Sequence, residues 1–164
     1  MDVFYALGEV SITIAGFAAL FSILRPQKKT WDEFDRYNLT RFYMMIEFGC
    51  LTSIFCILPA LFLGYTNSEN AFRLSFGLYF LIIVPYIIFG LRRVKRLSGK
   101  IAINGIRTVI LLIIWHLMAL YSVLGALDLL GENYQTNYLT LLFLMFVSAL
   151  YLFFRLIYFS IRKV

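Results

Sequence analysis

The chain predicts an all-α integral membrane fold: a bundle of five transmembrane helices, amino terminus outside, carboxyl terminus cytoplasmic, self-associating into a homo-oligomer. Three observations carry that reading. Hydrophobic residues fill 62% and aromatic residues 18% of the 164 positions, against 15% charged. With a mean hydropathy of +0.83, this is more apolar surface than a soluble globule of that length buries. Five apolar stretches, 3–24, 43–64, 74–91, 108–127 and 138–161, can each cross a hydrocarbon layer of about 30 Å at roughly 1.5 Å per residue. Finally, all 15 Lys and Arg residues except Arg73 and Arg155 fall in segments 25–42 and 92–107 or in the tail, which the positive-inside rule assigns to the cytoplasm. The connectors are too short for a soluble domain, so 1–164 reads as one membrane domain.

Helix 1 contains LGEVSITIAGFAALFSIL. It has no basic leader region and is too long for a signal-peptide core, so it reads as a mature span. On a wheel of about 100° per residue, Gly8, Ser11, Ala15, Gly16 and Ala19 share one arc with Ala18 and Ser22. Small residues permit close backbone approach, so this arc is a packing face for another helix or another copy of the chain. Glu9 borders the arc and Thr13 lies one turn further on. A carboxylate in hydrocarbon is expensive, so this polar strip is expected to face protein or water.

The second helix is approached through RPQKKTWDEFDRYNLTRF. Thr30 and Glu33 fit a capping box and Asp32 with Arg36 an i,i+4 pair, so the helix is expected to begin near Trp31 and project into the cytoplasm. That projection is a solvated cap or a docking surface for a cytoplasmic protein partner. Glu47, one turn inside the cytoplasmic end, is predicted to form a structural ion pair with Arg155 of helix 5. Cys50 and Cys56 are six residues apart on one helix, which suits neither a disulfide within that helix nor a metal site. No cofactor is expected.

Helix 3 carries Pro85 and is followed by Arg92, Arg93, Lys95, Arg96 and Lys100 with no acid among them. Such a cluster sets topology and attracts anionic inner-leaflet lipid at about 1 kcal/mol per residue. The basic residues sit in membrane connectors, so the net charge of +6 points to lipid headgroups and not to nucleic acid. Helix 4 holds the single histidine, His116, which reads as a buried neutral ring or as a pore or relay residue. Helices 3 and 5 are dense in aromatics, expected to face lipid and anchor the helices at their interfaces.

One histidine, no HExxH and no serine or cysteine beside a base leave no recognisable enzyme. EVSITIAGFAALF, followed by WDEFDR, resembles a loosely related group of small bacterial multi-pass membrane proteins without an assigned activity. The resemblance covers the N-terminal part alone and implies a bacterial inner (plasma) membrane. Function is expected to be a homo-oligomeric channel or pore passing ions, with Glu9, Thr13 and His116 as its polar intramembrane residues. One variant is a defence effector that depolarises the membrane. The alternative is a non-conducting scaffold or accessory subunit that holds a partner protein.

Overall fold

Each apolar stretch forms a helix in the computed structural model, which describes residues 2–24, 33–98 and 106–161. The helices are α1 (Asp2–Leu24), α2 (Glu33–Leu63), α3 (Ser68–Ser98), α4 (Ile106–Ala126) and α5 (Tyr134–Ile161). Four are long and apolar enough to cross a membrane, through Asp2–Leu20, Phe42–Leu63, Ser68–Arg92 and Tyr134–Arg155; the apolar part of α4, Ile110–Ala126, is shorter.

Three boundaries differ from expectation. α3 starts at Ser68, ahead of residue 74, because Asn67 caps it: its Oδ1 accepts the Asn70 amide at 2.9 Å. α3 also continues to Ser98, so Arg92, Arg93, Lys95 and Arg96 ride on helix and not on a connector. α5 begins at Tyr134, one turn before residue 138. The expected capping box at Thr30 and Glu33, the Asp32–Arg36 pair and Lys100 lie outside the described residues or side chains; α2 is traced from Glu33.

α2, α3, α4 and α5 pack as a four-helix unit in which α2 and α4 occupy opposite corners. α1 lies outside that unit, along α2 and with a smaller contact on α5; among the described residues α1 and α4 do not meet. The centre is aromatic. Phe48, Phe55, Phe76, Tyr79 and Tyr138 are all fully buried. Ring centroids lie 5.0 Å apart for Phe48 and Trp115, 4.7 Å for Phe55 and Tyr79, and 5.0 Å for Phe76 and Tyr138. Such pairs add about 0.5–1.5 kcal/mol each beyond their buried area. Phe76 and Tyr79 thus correct the expectation that the aromatics of helix 3 face lipid, whereas Phe89 does stand out from the bundle.

Pro59 sits inside α2 and has no amide hydrogen for the carbonyl one turn back, at Phe55. Tyr138 of α5 supplies the missing donor, its Oη giving a hydrogen bond to the Phe55 carbonyl at 3.0 Å. One proline in α2 is therefore matched by one tyrosine in α5.

α4 ends in a Schellman turn. The Leu129 amide donates to Leu124 O at 2.9 Å and the Asp128 amide to Gly125 O at 3.3 Å. Asp128 takes the left-handed position at φ 65°, where glycine is usual and aspartate is tolerated.

Candidate functional site

α1 and α2 meet in a close seam. A Cβ placed on Gly49 would stand 2.8 Å from both Ala15 Cβ and Ser11 O. Ser53 Oγ donates to Gly8 O at 2.8 Å, and a Cβ on Gly8 would lie 3.3 Å from Cys56 Cβ. Gly8, Ser11 and Ala15 are buried here and Ala19 is half-buried. The small face of α1 is therefore covered by α2 of the same chain. Gly16 is a correction to the predicted face: it is exposed, with nothing within 4 Å of a Cβ placed on it. The missed residue is Gly49, and its signal was present in the run Gly49, Ser53 and Cys56 on one side of α2.

Several serine and threonine hydroxyls bond to carbonyls of their own helix. Ser11 donates to Leu7 O, Thr52 to Phe48 O and Ser75 to Ala71 O, each at 2.7 Å, and Ser148 to Leu144 O at 2.9 Å. A hydroxyl carries its own proton, so it can return it to a carbonyl of its own helix and tolerate an apolar setting. Thr13 does the same on the exposed side of α1, giving its proton to Glu9 O at 2.7 Å. His116 Nδ1 lies 2.7 Å from Leu112 O. Only a protonated Nδ1 makes that bond, which leaves Nε2 as the outward-facing atom.

Glu9 has no equivalent solution. An ionised carboxylate only accepts, and its own helix offers carbonyls, which also only accept. The Glu9 side chain is exposed and has no partner among the described residues. On the α1 wheel it points away from the bundle with Ala6, Thr13 and Gly16, opposite Ser11 and Ala15. His116 is exposed too, on the outer face of α4 beside Ile113 and Leu117. The three predicted intramembrane polar residues thus stand on the periphery, and the fold does not bring His116 together with Glu9 and Thr13.

Two contacts fix their relative depths. Gly49 of α2 meets Ser11 and Ala15, which bracket Thr13, and the adjacent Phe48 stacks on Trp115, the neighbour of His116. Thr13 and His116 therefore lie at about the same level, with Glu9 one turn, about 6 Å, nearer the N-terminal end of α1.

A second polar position lies between α2 and α3. Tyr86 Oη donates to Glu47 Oε2 at 2.7 Å, at the edge of a cleft of about 410 Å³ lined by Glu47, Cys50, Leu51, Tyr86, Phe89 and Gly90. Tyr86 was not foreseen as a partner for Glu47. Arg155 is half-buried on α5, which packs against α2. In the basic cluster, Arg92 is exposed with its guanidinium carbon 5.9 Å from the Phe89 ring centroid; the side chains of Arg93, Lys95 and Arg96 are outside the described set.

At the opposite end, Arg73 lies 3.5 Å from Glu69 and 3.8 Å from Asp128, and Tyr134 Oη donates to Asp128 Oδ1 at 2.5 Å. This exposed network ties α3 to the turn before α5, where such pairs contribute about 0–1 kcal/mol each. Among the described residues, no three His, Cys, Asp or Glu side chains converge on a point where a metal could sit.

No protein-family model, curated protein or solved structure matches the chain.

Proposed function

We propose that this chain is a five-span membrane protein that assembles with copies of itself and passes ions along the surfaces between them. The observation that carries this reading is Glu9: a carboxylate within a membrane span, exposed on the protomer and without a partner among the described residues. Turned to lipid, it would cost several kcal/mol; turned to a neighbouring copy or to water between copies, it is hydrated or paired. The protomer's centre is filled by the buried rings of Phe48, Phe55, Phe76, Tyr79 and Tyr138, so the passage is assigned between copies and not through one.

In this reading α4 is the fifth span, the amino terminus lies outside and the basic end of α3 faces anionic cytoplasmic lipid, as expected of a bacterial inner-membrane protein. Glu9 favours cations near the outer mouth. Glu47 and Arg155 pair within each protomer and fasten α5 to α2, outside the pathway. A membrane-depolarising defence role is the form in which such a leak would be useful to a bacterium.

The packed centre also suits a second reading, in which the outward strip of α1 holds a partner in a non-conducting scaffold. Ion flux into liposomes carrying the purified protein separates the two. Flux that changes with Glu9→Gln supports the channel, and a stable oligomer without flux at any imposed potential supports the scaffold.

A further inference from the structure

The cleft between α2 and α3 changes character along its length. The two helices run antiparallel, with Gly90 beside Met44 and Tyr79 against Phe55. The bond from Tyr86 Oη to Glu47 therefore marks one level of the cleft, with Cys50 and Leu51 on one side of it and Phe89 and Gly90 on the other. From Gly90 to Leu51 the cleft extends about 12 Å along the bundle. Tyr86 already engages one carboxylate oxygen of Glu47, and the walls away from that bond are the apolar side chains of Leu51 and Phe89 with the thiol of Cys50. At the Phe89 end the surface turns basic. The exposed Arg92 has its guanidinium carbon 5.9 Å from the Phe89 ring centroid, and the helical register sets positions 93 and 96 on the same face of α3 as Phe89 and Gly90. The one acid in α3, Glu69, is at the other end of the helix.

Resting on the reading above that the basic end of α3 faces anionic lipid, we infer that this cleft binds one anionic phospholipid, its phosphate on Arg92 and an acyl chain between α2 and α3. The charge selects the headgroup. Guanidinium groups bond phosphate oxygens directly, and a zwitterionic headgroup brings its own cation toward a surface that is already basic. The volume selects the rest of the ligand. A helix about 10 Å across would need roughly twice the 410 Å³ of this cleft over the same length, whereas a hydrocarbon chain is narrow enough to enter. The cleft also lies within the membrane-crossing parts of α2 and α3, the level at which acyl chains are found. Gly90 keeps the entrance open beneath Arg92, because a side chain there would project between Met44 and the Phe89 wall.

The test titrates the delipidated full-length protein in detergent with dioleoyl phosphatidylglycerol or dioleoyl phosphatidylcholine and counts bound lipid by native mass spectrometry. One phosphatidylglycerol per chain should be retained at about a tenth of the concentration that phosphatidylcholine needs, and Arg92→Gln should weaken its binding about fivefold. Equal retention of the two lipids overturns the assignment. The acyl-chain position is read separately from Cys50, which lines the cleft, in a Cys56→Ala background. Phosphatidylglycerol should slow alkylation of Cys50 by N-ethylmaleimide severalfold, and phosphatidylcholine at the same concentration should not. An unprotected Cys50 overturns the cleft, and equal protection by glycerol phosphate alone overturns the lipid in favour of a free phosphate. Selective retention without protection of Cys50 would leave the basic end of α3 against anionic lipid while removing the cleft, so the two readings fail separately.

Discussion

The two faces of α1 meet the same solvent problem in opposite ways. On the inner face Gly8, Ser11 and Ala15 bring α1 so close to α2 that Gly49 has no room for a Cβ, and every hydroxyl there finds a carbonyl. On the outer face Gly16 has open space around it, and Glu9 has an acceptor-only side chain with no donor beside it among the described residues. A membrane helix therefore contains two kinds of small residue. One kind is required by a neighbour already present, and the other, Gly16, has no neighbour within reach of a side chain.

The strongest way to break this contrast is Gly49→Leu. Its side chain would enter the space held by Ser11 O and Ala15 Cβ, and overpacking against backbone should cost about 3 kcal/mol. The check is denaturant unfolding in mixed micelles, where the variant should unfold at a markedly lower denaturant fraction than the parent. Tyr138→Phe should follow at about 1–2 kcal/mol, since it strands the buried Phe55 carbonyl that Pro59 leaves unserved; the same unfolding curve reads it. Gly16→Ala, on the outer face, should leave the protomer as stable or raise its stability by up to about 1 kcal/mol, because alanine is the better helix former. Equal losses for Gly16→Ala and Gly49→Leu would erase the distinction between the two faces. Glu9→Gln should move protomer stability least, within about 0.5 kcal/mol, while altering the ion selectivity of liposome flux. A large stability loss with unaltered selectivity would place Glu9 in the packing and outside the pathway.

Much of the architecture was legible in the sequence because the requirement to satisfy backbone groups inside a bilayer leaves few alternatives to helices. The starts and ends were less legible. Ser68 opens α3 on the capping action of Asn67, a local hydrogen bond that hydropathy does not register. Facing was least legible of all. Phe76 and Phe89 lie on the same helix, yet Phe76 is 0% and Phe89 64% exposed, because lipid is as apolar as a protein core and the usual inside–outside pattern carries little information. Glu9 was found at once, since a charge in a span has a physical cost that composition reveals. Gly49 and Tyr86 were missed as partners because each acquires its role only when α2 meets α1 or α3.

The bond between Tyr138 and the Phe55 carbonyl joins residues 83 positions apart, and this separation has a biosynthetic meaning. Phe55 and Pro59 leave the ribosome well before Tyr138 is translated, so α2 enters the bilayer with one carbonyl unserved. The gap closes when the last helix arrives, which makes α5 the element that completes α2. A nascent chain halted before Tyr138 leaves the Phe55 carbonyl without this donor.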